Sequence, residues 1–170
     1  MADAAGSRDL TFEECQTFPS WMGPALIALS LPALLVTPIL IFADEGVTLE
    51  STAIVVATVA IVVAPLPFLL RSTLHTEVRE DGVYFRYWPF HRSYRHVPFS
   101  AIQDVRREER RSYSYGLRWT RSGWEYAPDS SEGVRIYRTD AKPIFLSSER
   151  PHDLLTAIES GRRNRDRRRE

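Results

Sequence analysis

Two long apolar runs, Trp21–Ala43 and Ser51–Leu70, dominate the first half of the chain, and neither contains Asp, Glu, Lys, Arg or His. A helix rises about 1.5 Å per residue and a bilayer core is about 30 Å thick, so roughly 20 apolar residues suffice to cross. Both runs reach that length. Two buried helices of a soluble core would need a polar stripe or a large surrounding domain, and the chain offers neither. The pattern therefore predicts a transmembrane hairpin over 21–70, with helices at 21–43 and 51–70, preceded by a polar segment, 1–20. Pro24, Pro32, Pro38, Pro65 and Pro67 are tolerated in membrane helices through kinks and local rearrangement; Pro65 and Pro67 predict a loosened end to the second.

From residue 72 the period changes. Leu74–Arg79 alternates crudely, Glu80-Asp81-Gly82 supplies a hairpin turn, and Val83–Trp88 is rich in aromatic strand formers. Further strands are predicted at Ser93–Val97, Ile102–Arg110, Gly133–Arg138 and Ile144–Leu146, with an irregular aromatic hairpin across Ser112–Ser131. Pro151 suits a first helical turn, Leu154, Leu155 and Ile158 form one apolar face, and Gly161 can stop the helix. The expected β unit thus spans 71–160, with about seven strands and a carboxy-terminal amphipathic helix, followed by an arginine-rich tail, 161–170.

Charge adds an orientation. The chain of 170 residues has 22 Lys+Arg and 22 Asp+Glu, so no overall basicity draws it to nucleic acid. The connector Asp44–Glu50 has no Lys or Arg, whereas Arg8 precedes the first run and Arg71, Arg79 and Arg86 follow the second. The positive-inside rule puts both termini in the cytoplasm and the acidic connector outside, as in a multi-pass plasma-membrane protein. The polar, acidic residues before Trp21 fit a secretory signal peptide poorly.

Small residues recur along each run, Ala53, Ala57, Ala60 and Ala64 on the second and Ser30, Ala33 and Thr37 on the first. Such stripes let helix backbones approach in lipid, either within the hairpin, which the short connector favours, or between copies of the chain.

Catalytic signatures are missing. There is no glycine-rich phosphate loop, nucleophile elbow or His-Glu-x-x-His helix, and one cysteine, Cys15, cannot form an intrachain disulfide or a thiolate cluster. His91 and His96 are spaced unsuitably for one helix or strand face, so no metal, cofactor or enzymatic activity is expected. Arg86, His91, Arg92, Arg95 and His96 are interleaved with Tyr87, Trp88, Phe90 and Tyr94. This cluster suits a surface against anionic lipid headgroups, with Arg86, Arg92, Arg95 and Trp88 facing lipid, or an ordinary sheet with exposed arginines and buried rings. Arg106–Arg111, of mixed sign, reads as a solvated strand end or loop and not as a nucleic-acid patch. Trp119, Trp124 and Tyr126 are candidates for a protein-contact surface or for core packing.

Residues 71–160 resemble the bacterial pleckstrin-homology-like domains that follow a transmembrane hairpin in small membrane proteins of unknown function. The residues that carry the likeness are Thr76–Arg86 (TEVREDGVYFR), Val97–Val105 (VPFSAIQDV) and Gly133–Ile158, with Phe12–Phe18 and Trp21 similar to the lead-in to the first helix. The resemblance implies a bent antiparallel sheet or barrel capped by the carboxy-terminal helix, and it brings no catalytic residue or pocket. The functional expectation is a membrane-tethered module for a protein partner or an anionic lipid surface; the rival is a structural homo-oligomer joined through the small-residue stripes or sheet edges.

Overall fold

The computed structural model describes residues 10–110, 115–129 and 131–168. Arg8, Asp9, Arg111, Ser112, Tyr113, Arg169 and Glu170, on which some expectations rest, lie outside them. The chain forms two compact units: a helical one, Phe18–Arg71, and a β-rich one built from the segments on either side of it.

The helical unit contains α1 (Met22–Glu45), α2 (Leu49–Val63) and the short α3 (Leu66–Leu70). Two helical stretches, Met22–Asp44 and Leu49–Leu70, are long and apolar enough to cross a membrane. Only Gly46, Val47 and Thr48 separate α1 from α2, fewer than the expected Asp44–Glu50 connector. Gly46 turns the chain with φ +69°. Thr48 then caps α2 reciprocally: the Ser51 N–H donates to Thr48 Oγ1 at 3.1 Å, and the Thr48 N–H donates to Ser51 Oγ at 2.9 Å. The second run breaks at Ala64-Pro65, since Pro65 has no N–H to continue the ladder.

In the β unit, β1 (Phe12–Thr17), β2 (Thr73–Arg79), β3 (Gly82–Trp88) and β4 (Arg95–Pro98) form one antiparallel sheet in that order. The second sheet runs β5-β8-β9-β7-β6, from β5 (Ile102–Glu109), β6 (Gly116–Thr120), β7 (Gly123–Ala127), β8 (Glu132–Arg138) and β9 (Ile144–Ser147). The helix pair, the strand-rich unit and the terminal helix α4 (Pro151–Arg167) match expectation in outline. Two features differ from a single bent antiparallel sheet. The strands divide into two sheets, and β7 pairs with β9 in parallel.

The largest correction concerns residues 1–20. Phe12–Thr17 is not a mere lead-in but the first strand, pairing with β2 from Phe12↔Val78 to Thr17↔Thr73. The helical unit is therefore inserted between two adjacent strands. β1 escapes a pattern search because Phe12 is its sole large apolar residue; its other inward position, Gln16, is polar and buried. The Gln16 amide is satisfied by donating to Glu14 at 2.7 Å and by accepting from the Ser147 hydroxyl. Glu14 also accepts from the Ser148 hydroxyl at 2.6 Å and from the Glu149 N–H at 2.7 Å, tying the first sheet to the start of α4.

Strand alternation builds the core. Leu74 and Val78 of β2, with Val83, Phe85 and Tyr87 of β3, point inward against Tyr126, Val134, Ile136 and Leu146 of the other sheet. Helix α4 closes this core with Leu154, Ala157 and Ile158. It does not stop at Gly161. A Cβ there would lie 2.2 Å from the Phe99 ring, so the glycine permits close packing inside the helix and the helix continues into the arginine-rich segment. Gly123, by contrast, serves a turn: its φ is +113°, and a Cβ would meet the Pro143 carbonyl at 1.9 Å.

Candidate functional site

The basic-aromatic cluster lies at one end of the first sheet. Thr17, Thr73 and Trp88 align across β1, β2 and β3, and these first two are the residues at which the chain leaves the sheet for the helical unit and returns from it. The β3–β4 loop that starts from Trp88 is therefore at the same edge. Trp88 is 45% exposed and Phe90 is 55% exposed, although both are large and apolar. Arg92 is exposed in the same loop. Arg95, also exposed, is not at this end: it pairs with Phe85, further into the sheet than Arg86, and its Nη1 donates to the Tyr126 hydroxyl at 3.4 Å, which corrects the expectation that it faces lipid. His91 is half-buried, and burial, with the Arg95 charge second, lowers its pKa, so the ring is neutral at pH 7.

Arg86, expected to face lipid, is half-buried instead, its guanidinium 4.9 Å from the Tyr94 ring centroid. Tyr94 folds back over the outward face of the sheet, where Arg79 also approaches it. The physical reason is register: Arg86 pairs with His75 in mid-strand and not at the strand end.

The aromatic hairpin divides in the same way. Trp119 on the edge strand β6 is 51% exposed, with Lys142 Nζ 4.4 Å from its ring centroid. Trp124 is half-buried against the core and meets Trp119 edge-on at 4.7 Å. Tyr126 corrects the expectation of a contact residue. It is 1% exposed, between β6 and β9, with its ring against Phe85 at 5.0 Å.

Ala53, Ala57 and Ala60 of α2, and Ala64 that caps it, are all exposed, so they do not pack within the hairpin. The half-buried positions of α2 are Val55, Thr58, Val59 and Val62. β-Branched side chains, not alanines, occupy the face toward α1, whereas on α1 Ser30, Ala33 and Thr37 are half-buried as the spacing predicts. Ala60 and Ala64 instead line a shallow apolar groove with Val56 and Val63.

Sequence reasoning missed a buried ionic cluster on the outward face of the second sheet. Arg118, Glu125, Phe145 and Arg135 form one cross-strand row over β6, β7, β9 and β8. Glu125 accepts from Arg118 at 2.9 Å and from Arg110 and Arg135 at 3.2 Å each. Arg135 also pairs with Glu108. Burial pushes the Glu125 carboxyl up, but hydrogen bonds from Arg118, Arg135 and Arg110 outweigh it and hold it below its ordinary value. Arg110, read as part of a solvated strand end, is buried, with its guanidinium over the Phe145 ring. No local pattern distinguishes it from Arg106 and Arg107, since its partners come from distant strands.

Cys15 Sγ lies 3.5 Å from His75 Nε2. Burial and then the Glu13 charge raise the thiol pKa, so this pair lacks the lowered thiol pKa of an activated nucleophile. Among the described residues no three His, Cys, Asp or Glu side chains converge as metal ligands. No protein-family model matches the chain, and no curated protein matches it significantly.

Proposed function

We propose that this chain is a membrane-anchored interaction module: α1 and α2 cross the bilayer as a hairpin, and the β unit lies at the cytoplasmic face with its β3–β4 loop against anionic headgroups. One observation carries the reading. Thr17, Thr73 and Trp88 share a row, so the loop that begins at exposed Trp88 and carries Phe90 and Arg92 leaves the sheet at the end to which the apolar helices are covalently joined. A chain that leaves a sheet after β1 and returns to pair as β2 must cross a bilayer an even number of times. Two candidate spans between those strands meet that condition. Exposed Trp88 and Phe90 suit the interfacial zone, and Arg92 adds about 1 kcal/mol beside an anionic surface. The likeness of 71–160 to pleckstrin-homology-like domains brings no catalytic residue with it, and the fold alone does not decide between functions.

Photo-crosslinking residues at Trp88 and Phe90 in native membranes test the lipid contact. Lipid adducts at both positions, and none at Trp119, are expected; protein adducts alone at Trp88 and Phe90 would refute it. A homo-oligomer is the second reading, favoured by the outward alanine stripe and its groove. Its test is the detergent-corrected mass of Ala57→Leu, Ala60→Leu, which falls to the monomer if the stripe joins copies.

A further inference from the structure

β6 is the last strand of the second sheet and, among the described residues, pairs with β7 alone. Its outer edge is a backbone template. The Trp124 N–H leaves β7 on the side away from β6, donating to the Pro143 carbonyl at 3.2 Å. In an antiparallel ladder, a residue whose backbone groups turn away from the partner strand faces one that also turns away. Trp119, the register partner of Trp124, therefore directs its N–H and C=O to the open edge, and so does Leu117 two residues before it. Strand alternation puts the half-exposed Trp119 ring on the same face as Leu117, Trp124 and Tyr126. We infer that this edge receives an extended, acidic segment of a partner protein, which pairs with β6 as a further strand.

Charge selects the partner. Lys142 is exposed, with Nζ 4.4 Å from the Trp119 ring centroid, and is the group placed to meet a partner carboxylate. Arg138 gives Nε and Nη2 to the Lys142 carbonyl, so it contributes charge to the patch and not a free fork. Arg95 Nη1 donates to the Tyr126 hydroxyl. Among the described residues, none of Lys142, Arg138 and Arg95 forms an ion pair. The Arg138 pKa is lowered, by burial first and, against an opposing effect of Tyr126, by the Arg95 charge. Arg121, exposed in the β6–β7 turn, adds a fourth cation, while Asp140, exposed in the turn before Lys142, offsets one unit. The patch is thus an indole beside uncompensated positive charge, on a strand with unused ladder groups. An added strand meets all three: its backbone continues the ladder, its apolar positions cover Trp119 and Leu117, and its carboxylates meet the cations.

Other occupants fit less well. Pairing two copies of β6 brings two sets of cations together, and like charges across a strand pair are destabilising. Nucleic acid stacks on an indole but has no amide groups to continue the ladder. The inference goes beyond the lipid contact of the β3–β4 loop and does not rest on it, since the edge, the indole and the cations all belong to the β unit.

The full chain in neutral detergent, panned against a random peptide library displayed on phage, tests the surface. Enriched sequences are expected to alternate apolar residues with Asp or Glu. The corresponding synthetic peptides are expected to protect the Leu117 and Trp119 amides from hydrogen exchange. Trp119→Ala and Lys142→Glu each weaken that binding about tenfold or more, whereas Arg167→Gln, which removes a charge on α4, leaves it within about twofold. No enrichment, enrichment without acidic bias, or acidic peptides that bind Trp119→Ala unchanged overturns the site. Protection of β6 that grows with protein concentration and no peptide assigns the edge to a second copy and overturns the acidic partner. Tighter binding of an oligouridylate than of the selected peptides, lost in Trp119→Ala, overturns it equally. Melting temperatures of the variants separate lost binding from lost fold.

Discussion

Thr73, the first residue of β2, is the register partner of Trp88, the last residue of β3. That pairing joins two properties distant in sequence: the point where the chain returns from its apolar helices, and the exposed aromatic loop with its arginines. It also separates the two ends of the first sheet chemically. One end carries Trp88 and Phe90; the other carries the Glu80-Asp81-Gly82 turn, which the arginine-rich end of α4 approaches with Arg168 Nη2 3.5 Å from Glu80.

The Glu125 cluster predicts acid sensitivity with a defined sign. Its folded-state pKa is depressed below the ordinary glutamate value of about 4.3. The cluster's contribution is fully present above pH ~4.3 and is lost as pH falls through the lower, folded value. Glu125→Ala leaves Arg110 and Arg135 buried without their shared carboxylate, at an expected cost of about 3–5 kcal/mol. Amide hydrogen exchange in β7 and β8 reads this locally. Unchanged protection in Glu125→Ala would show that the cluster contributes nothing net.

Gly161→Ala is expected to destabilise, against helix propensity. Alanine gains about 1 kcal/mol in a helix interior, but a Cβ 2.2 Å from the Phe99 ring forces repacking that costs roughly 1–3 kcal/mol. Thermal unfolding of the β unit, followed by near-ultraviolet circular dichroism, is expected to shift down. An upward shift would mean that Phe99 can turn aside freely.

Tyr126 and Trp119 are expected to respond oppositely to truncation. Tyr126→Ala empties the core beside Phe85 and Tyr87, at about 3–5 kcal/mol. Trp119→Ala, at an edge strand, changes stability by about 1 kcal/mol or less. Chemical denaturation of the two variants checks the contrast, and equal losses would contradict the assignment of Tyr126 to the core.

These contrasts show which features sequence carries. The apolar runs are legible because charge-free length is a one-dimensional property, and Glu80-Asp81-Gly82 is legible because turn chemistry is local. The strand Phe12–Thr17 is not, since its inward Gln16 is stabilised by Ser147 and Glu14 and not by apolar burial. Tyr126 and Trp119 are both aromatics on strands, and only the neighbours of their strands decide which is buried. The alanine stripe had the right spacing for packing, but spacing fixes a shared face without saying where that face turns. The approach of Arg168 to Glu80 needs α4 to run past Gly161, where the sequence suggests a stop.

The central claim is that the hairpin crosses the bilayer twice and keeps the β unit on the cytoplasmic side. Exposed Cys15 lies in β1 and reports for that whole unit, and Val47, 81% exposed between α1 and α2, reports for the far end of the hairpin. Labelling with a membrane-impermeant maleimide is compared for the natural chain and for Cys15→Ser, Val47→Cys. The account predicts that the cysteine at 47 reacts in intact cells and Cys15 reacts only after permeabilisation. Reaction of both from the same side would contradict it.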